Sequence, residues 1–452
     1  MKKIIAFICS IFLLINFLNA CAPIPPDGPS SSGTPDTDVL NIYLDSYTKG
    51  YMQCLLDQFS LENENVSIEI TDLSSLNMED FSTKLASDLI AGKGPDIILV
   101  SNAASTRNTF FNLTKLLQSN VFLDINELNV DLSACSQQVL AAGKYLGKQY
   151  MLPLNYSLGM MLTSSERLAE YGIVIDEGLE KFSSSVASIY EDGKFVFPNY
   201  FTSKELYSFG GKTLIDYNNN TFLNLSETQP YFESLIRCYD NLFPNILTSA
   251  SPQNYSFSNV LKNYNYSVKE AFLAGDLVFL SDQEFLGTYQ NLSYMNAIID
   301  ELIALNETPV LFSLPTLDKA TPAPMINYFL LVNKNASDNE AVRKFIESAI
   351  GEESQYSYAS QTGIPVNIEI VHDMQNYYEG ASSKYSYANY CSIPEEVSQS
   401  YFETIENMSD GVYQDVQISS CIFSVFREYV SSNDMHYAYN SGKERLEFYL
   451  NE

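Results

Sequence analysis

The chain has 452 residues, a formal net charge of −30 and only two histidines. A chain of this length exceeds what one hydrophobic core covers, so two or more lobes are expected. The acidic balance repels nucleic acid and anionic membrane surfaces, which excludes both as binding partners. With so few histidines and no Cys-x-x-Cys pair, we expect no metal site, no Ser-His-Asp triad and no cofactor.

The N-terminal segment has the pattern of an export signal. Two lysines precede a short apolar run over residues 4–18, and small residues close the segment at "LNAC". This ending resembles the lipobox of bacterial lipoproteins, which implies that Cys21 carries lipid and that residues 1–20 are a lipoprotein signal peptide. The alternative is an ordinary secretory signal with a chance cysteine.

The following residues have the composition of a tether. Residues 21–38 are rich in proline, serine and glycine and have almost nothing to bury, so we expect them to stay flexible. A lipid on Cys21 would then hold the folded part at the outer face of the cytoplasmic membrane.

Short strands alternate with one-faced helices in the first folded segment. Strand-like composition is found in "VLNIYL" (39–44), "VSIEI" (66–70) and "IILV" (97–100). Between them, apolar residues recur three and four positions apart, as they do on one buried helix face. In "AGKGPDIILV", Gly92 ends the second helix and Pro95 prevents it from resuming. This order of elements predicts a parallel sheet with helices packed on it.

Polar residues follow two of the predicted strands. Asp45 and Tyr47 come after the first strand, and Asn102 comes after the third. Because ligands of open parallel sheets bind beyond the carboxyl ends of the strands, we predict that these side chains contact a ligand. The alternative is that they are ordinary polar loop residues.

Two helices are predicted in the last quarter of the chain. Ser337 followed by Glu340 has the spacing of a capping box at a helix start. Leu446 and Leu450 lie four residues apart, which predicts a terminal helix packed on the body of the protein. The cysteines after Cys21 are interpreted as small buried hydrophobic residues.

Several further segments stand in a fixed order along the chain. They are "AGKGPDIILV", "GKQYMLPLNYSLGMMLTSSERLAEYGI", "AFLAGDLVFLSDQEFLG" and "PVLFSLPTLDKATPAPMINYFLLVNKNASDNEAVRKFIESAIGEESQYSYASQTGIPVN". In this order they resemble the landmarks of bacterial extracellular solute-binding proteins of family 1, which serve sugar-type ABC importers. The resemblance implies an α/β, two-lobed periplasmic-binding-protein-like (type II) fold with hinge crossovers and a C-terminal helical part.

The resemblance also implies how the chain divides between the lobes. The implied segments are 39–155 with 309–360 for lobe 1, and 156–308 with 361–452, including C-terminal helices, for lobe 2. The crossovers between the lobes are expected near residues 152–156, 308–311 and 351–363.

The same comparison implies which residues contact a ligand. "SDQEF" falls where the family has "dGsW", so Glu284 and Phe285 are implied contacts, with Phe285 in place of a stacking tryptophan. The chain itself has no tryptophan but 32 tyrosines and 27 phenylalanines. Tyr156, Phe209 and Tyr328 fall at other positions where the family places ligand contacts or pocket loops. The alternative for each aromatic residue is a role in the core or at an interface.

The resemblance implies a binding function without catalysis. The expected protein is a monomeric, lipid-anchored receptor that captures a small solute, a carbohydrate, and hands it to ABC permease subunits. One alternative is a non-sugar ligand, a metal complex or polyamine, for which Tyr377 and Tyr378 offer oxygen ligands. Others are a surface glycan hydrolase using a carboxylate pair and a sensor or adhesin on the same fold.

Overall fold

The computed structural model describes residues 38–44, 46–72, 78–101, 113–198, 213–244, 247, 267–281, 292–317, 322–361, 363–387, 393–413 and 415–451. The strands are β1 (Asp38–Leu44), β2 (Val66–Asp72), β3 (Ile97–Ser101), β4 (Lys144–Tyr145), β5 (Lys148–Gln149), β6 (Met151–Ser157), β7 (Met160–Ser164), β8 (Ile215–Asp216), β9 (Thr221–Phe222), β10 (Leu280–Ser281), β11 (Pro309–Ser313), β12 (Met325–Val332) and β13 (Ile364–Pro365).

The helices follow the same order along the chain. They are α1 (Ser46–Glu62), α2 (Met78–Ile90), α3 (Leu113–Gln118), α4 (Gln137–Ala141), α5 (Ser165–Tyr171), α6 (Leu179–Glu191), α7 (Leu225–Leu242), α8 (Val268–Leu273), α9 (Leu292–Ala304), α10 (Asn339–Ile350), α11 (Glu352–Gln361), α12 (Ile368–Tyr378), α13 (Glu395–Glu406), α14 (Val416–Ser432) and α15 (Met435–Asn451).

The larger sheet has six strands in the order β13-β6-β12-β3-β1-β2. β1 pairs in parallel with both β2 and β3, which confirms the parallel βαβαβ start expected from the sequence. β12 is inserted antiparallel between β3 and β6. The sheet therefore combines an N-terminal parallel part with strands that return from later in the chain.

The turn before β3 explains the stretch "AGKGPDIILV". Gly92 has a φ of +69°, the left-handed conformation that glycine adopts without strain, and α2 ends just before it. Asp96 is only 3% exposed, and its carboxylate accepts hydrogen bonds from Asn41 N at 2.8 Å and from Ser337 N at 2.6 Å. This one side chain thus joins β1, β3 and the segment that leads into α10.

The smaller sheet has three antiparallel strands in the order β10-β7-β11. The chain enters it between Ser157 and Met160, and it leaves it between Ser313 and Met325. Residues 309–313 pair with β7, and the chain returns to the larger sheet at Met325, where β12 begins.

Two clusters of buried apolar side chains surround these sheets. The first core surrounds the larger sheet and continues over one face of the smaller sheet onto α8 and α9. The second core covers the opposite face and includes buried residues of α6, α7, α14 and α15. Residues Asp38–Glu452 form one compact unit by their internal contacts, so the lobe limits stay predictions.

The C-terminal part divides between the two cores. Buried residues of α12 and α13, such as Ile370 and Tyr401, belong to the first core. α14 and α15 pack into the second core, where Leu446 and Leu450 are buried as the sequence predicted. The sequence had assigned the whole of 361–452 to lobe 2.

Two local expectations are wrong. The N-cap of α10 is Asp338, whose carboxylate accepts from the backbone N–H groups of Glu340 and Ala341, and not Ser337. Ser337 instead donates to Asp96. Cys54 is exposed on α1, although Cys135, Cys238 and Cys421 are buried as expected.

Within the part of the chain that the structure describes, no helix combines the length and the apolar character needed to cross a membrane.

Candidate ligand-binding cleft

The carboxyl ends of β3 and β6 lie at one edge of the larger sheet. The antiparallel register of β12 pairs Tyr328 with Ser101, the last residue of β3, and Met325 with Ser157, the last residue of β6. Both strand ends therefore flank the start of β12. This is the edge at which ligands of such sheets bind.

A bulge in β12 aims a polar side chain at this edge. The pairing of β12 with β6 shifts between Ile326 and Tyr328, so Asn327 is the extra residue. Bulges commonly re-aim a side chain near a functional site. The Oγ of Ser157 lies 3.3 Å from Oδ1 of Asn327, and Asn327 keeps part of its surface exposed. The edge thus offers an amide that is held by a neighbouring hydroxyl.

Gly363 completes the polar edge because no side chain fits there. Its φ is +132°, and a Cβ atom would come within 2.7 Å of the Asn327 amide nitrogen and 2.8 Å of the Tyr156 carbonyl oxygen. Glycine therefore lets the segment before β13 pass close to β6 and Asn327.

The smaller sheet presents its own strand ends beside the crossover from β6. β7 begins at Met160, and its register places Ser313, the end of β11, opposite that residue. Ser281, the end of β10, pairs with Met161. Both serines are partly exposed. The two sheets therefore bring polar strand ends to the same crossover, and the space there is the candidate ligand-binding cleft.

Two of the predicted contacts, Tyr156 and Tyr328, lie in the larger sheet and are buried. Tyr156 is 1% exposed, and burial raises the pKa of its hydroxyl group. It lines a cavity of about 160 Å³ beneath α12 and α13, together with His372 and Phe402. Tyr328 is 6% exposed in β12. Their contact with a ligand stays a prediction.

The structure describes no side chain for the other predicted site residues. Tyr47 belongs to α1, but its side chain is not among those described. The remaining predicted positions lie outside the described residues; they are Cys21, Asp45, Asn102, Phe209, Glu284 and Phe285.

The adjacent tyrosines considered for a metal complex pack against the first core. The rings of Tyr377 and Tyr378 contact each other edge to face, with their centroids 5.4 Å apart. Among the described residues, no group of three or more histidine, cysteine or acidic side chains could hold a metal ion.

A larger cavity, about 940 Å³, lies between α3, α14 and α15. α3 contributes buried leucines to the first core, whereas α14 and α15 belong to the second core. None of the predicted site residues is among the described residues that line this cavity. The signal that could have found it is the pair Arg427 and Arg445, two basic residues on late helices of a strongly acidic chain.

A buried hydrogen-bond network joins the same three helices. The carboxylate of Asp415, 3% exposed, accepts from Thr114 Oγ1 and from Tyr449 Oη, both at 2.8 Å. Tyr413 Oη lies 2.8 Å from Thr114 Oγ1 and donates to it, because the Thr114 proton is used at Asp415. Burial and the Asp415 charge hold the pKa values of Tyr413 and Tyr449 well above the usual range. The network fixes α3 against the C-terminal helices.

Comparison with known families decides the class of protein. Residues 55–377 match the family described as bacterial extracellular solute-binding protein. The chain belongs to this family. No curated protein matches the chain. The members of this family are described as extracellular proteins that bind solutes.

Solved structures show the same two-lobed α/β fold. A family 1 extracellular solute-binding protein from Alicyclobacillus acidocaldarius has 12% identity and a TM-score of 0.56, covering 92% of this chain and 98% of that one. The GacH receptor of Streptomyces glaucescens, also solved with acarbose, has 14% identity and a TM-score of 0.55, with 92% and 99% covered. The substrate-binding protein Lmo0181 of Listeria monocytogenes, in complex with cycloalternan, has 14% identity and a TM-score of 0.54, with 92% and 100% covered. At these identities the likeness establishes only the fold of this solute-binding protein.

Proposed function

We propose that this solute-binding protein is a lipid-anchored receptor that captures a carbohydrate outside the cytoplasmic membrane and delivers it to ABC permease subunits. The observation that carries the proposal is the arrangement of polar strand ends of both sheets around one crossover. Capture of a solute needs a cleft with hydrogen-bonding groups and requires no catalytic residue.

The chemistry of the cleft edge suits a neutral, hydroxyl-rich solute. Ser157 and Asn327 offer uncharged donors and acceptors, as do the partly exposed Ser281 and Ser313. Two proteins of the same fold have been solved in complex with acarbose and with cycloalternan, which supports a carbohydrate as the class of solute. The predicted contacts Asp45 and Asn102 follow β1 and β3 in the chain and belong to this proposal.

Calorimetric titration of residues 22–452 with a panel of neutral oligosaccharides tests whether the solute is a carbohydrate. We expect at least one oligosaccharide to bind. Asn327→Ala should weaken its affinity about tenfold, which corresponds to about 1.4 kcal/mol of binding free energy. Asn335→Ala is the matched control, because Asn335 is an exposed asparagine just beyond the opposite end of β12. If no member of the panel gives heat, a neutral carbohydrate is the wrong solute for the cleft.

Fatty-acid labelling in cells tests the anchor. An alkyne-tagged fatty acid should label the native chain and Cys54→Ser, but not Cys21→Ser. Cys54 is the appropriate control because it is an exposed cysteine on the folded part. Lipid on the Cys21→Ser chain would contradict the proposed anchor.

A further inference from the structure

The cavity between α3, α14 and α15 is lined by charged, polar and aromatic side chains, and we name it the basic groove. Its lining residues are Lys115, Leu247, Gln417, Ser420, Cys421, Phe423, Ser424, Arg427, Glu428, Ser431, Arg445, Phe448 and Tyr449. Its volume of about 940 Å³ lies within the range of small-molecule sites.

The charge of the groove is opposite to that of the chain. Three of its described lining residues are basic, Lys115, Arg427 and Arg445, and one is acidic, Glu428, whereas the whole chain carries a net charge of −30. Glu428 accepts a hydrogen bond from Arg445 at 3.1 Å. One carboxylate therefore faces three cations, and the groove has an excess of positive charge.

Arg427 is the cation most available to a ligand. It is exposed, and it forms no ion pair or hydrogen bond with the described part of the chain. Lys115 lies over the ring of Tyr449, with its ammonium group 5.7 Å from the ring centroid. A planar guanidinium group can bind a carboxylate through two parallel hydrogen bonds. Arg427 can therefore bind a carboxylate group of a ligand in this way.

Aromatic side chains line the groove beside these cations. Phe448 is 64% exposed, and Phe423 and Tyr449 are partly exposed. Apolar faces of sugar rings pack on such side chains, while Gln417 and Ser420 offer hydrogen bonds to hydroxyl groups. Cations, aromatic rings and neutral polar groups together match an acidic sugar better than a neutral one.

We infer that the basic groove binds an acidic oligosaccharide, one whose rings carry carboxylate groups. The described lining of the groove shares no residue with the cleft edge at Ser157 and Asn327, so this inference goes beyond the proposed function and assigns a second sugar site. α3, which belongs to the first core, and the two C-terminal helices of the second core all contribute residues to the lining of the groove.

Titration with two trisaccharides tests the inference on residues 22–452. Trigalacturonate should bind in the groove, and its binding should weaken as salt rises, whereas any binding of the neutral maltotriose should not depend on Arg427. Arg427→Gln and Arg445→Gln should each lower the affinity for trigalacturonate about tenfold. Lys443→Gln is the control, because it removes the same charge from α15 at a residue that does not line the groove. All three sites are at the surface, so unfolding temperatures should stay unchanged.

The outcomes separate this inference from the proposed function. Binding of maltotriose alone would overturn the acidic sugar and leave the carbohydrate receptor standing. Trigalacturonate binding that Arg427→Gln and Arg445→Gln leave unchanged would overturn the groove as the site. Binding of neither sugar, or of an acidic peptide such as polyglutamate in their place, would overturn the inference, whereas the panel of neutral oligosaccharides decides the carbohydrate proposed for the cleft.

Discussion

Asp96 and Ser337, 241 residues apart in sequence, are joined by two hydrogen bonds. Ser337 donates its backbone N–H and its hydroxyl group to one carboxylate oxygen of Asp96, at 2.6 and 2.8 Å. The other oxygen accepts from the backbone and side chain of Asn41. Asp96, the residue before β3, thus joins β1, β3 and the segment that leads into α10.

Replacing Asp96 should therefore destabilise the whole sheet. We expect Asp96→Asn to lower the free energy of unfolding by about 3 kcal/mol, because an amide cannot accept from all these donors and hydrogen bonds to a charged group are the stronger kind. Asp57→Asn, at an exposed position of α1, should change it by less than about 0.5 kcal/mol. Equal urea midpoints for the two variants would contradict the role given to Asp96.

The local elements of the larger sheet could be predicted, but its long-range partners could not. β1, β2, β3 and the turn at Gly92 follow from composition and periodicity within short windows. Ser337 and Asp338 are adjacent, and both are good N-caps, so spacing alone does not distinguish them. The choice depends on Asp96, which takes Ser337 as its partner across the fold.

The candidate cleft was harder to predict because strands alternate. Successive side chains of a strand point to opposite faces, so a shift of one residue moves a predicted contact to the other side. The sequence singled out Tyr156, whose ring lines a cavity beneath α12 and α13. Its neighbour Ser157 is the residue that meets Asn327. A diffuse resemblance does not locate a ligand contact to within one residue.

The close approach at Gly363 can be tested against a glycine in open space. Gly380 also has a left-handed φ, +72°, but a Cβ atom there would meet nothing within 4 Å. We expect Gly380→Ala to cost about 1 kcal/mol of unfolding free energy, from backbone strain alone. Gly363→Ala should cost about 3 kcal/mol, because strain and a clash with Tyr156 and Asn327 combine.

Denaturant titration of both glycine variants provides the measurement. Gly363→Ala should also lower the affinity for the solute that the native protein binds, because the added methyl group displaces the Asn327 amide. Equal losses of stability in the two variants would show that Gly363 has no packing constraint.

Arg167 anchors α5 through contacts that only a guanidinium group can make. It is 5% exposed and contacts Glu307 through Nε at 2.7 Å and Nη2 at 3.0 Å. Its Nη1 donates to the carbonyl oxygens of Phe272 and Leu277. The side chain thereby holds α5, α8 and the segment before β11 together.

Arg167→Lys should therefore be destabilising although the charge is kept. We expect a loss of about 3 kcal/mol in unfolding free energy, because one ammonium group cannot replace the four contacts that the buried guanidinium group makes with Glu307 and the two backbone carbonyl oxygens. Arg237→Lys is the control; Arg237 pairs with Glu180 at the surface, and its replacement should cost less than about 0.5 kcal/mol. Equal unfolding temperatures of the two variants would contradict this anchoring role.

Alkylation of thiols should distinguish the cysteines by burial. Burial raises the pKa of Cys135 to about 12 and those of Cys238 and Cys421 to about 11, whereas Cys54 is exposed. Because the thiolate is the reactive form, iodoacetamide at pH 8 should modify Cys54 and leave these three intact in the folded protein. Peptide mapping measures this, and denatured protein, in which all four react, is the control. Early modification of Cys135 would contradict its buried position.

Alkaline pH should weaken the network at Asp415 through Tyr449. Burial, followed by the charge of Asp415, raises the pKa of Tyr449 in the folded state, so the folded protein keeps this phenol neutral. The unfolded chain releases the proton near pH 10. The stabilisation is therefore complete below about pH 10 and is lost as pH rises above it, by up to about 1.4 kcal/mol per pH unit for one such group.

Tyr449→Phe separates the hydrogen bond from the titration. At pH 8 it should lower the free energy of unfolding by about 2 kcal/mol, because Asp415 loses the donor at 2.8 Å. Between pH 10 and 11 its stability should fall less steeply than that of the native chain, because one titrating group is gone. Tyr437→Phe, at an exposed tyrosine of the same helix, should follow the native curve at both pH values. Urea denaturation across pH 8 to 11 measures both effects, and parallel curves for native chain and Tyr449→Phe would refute the raised pKa.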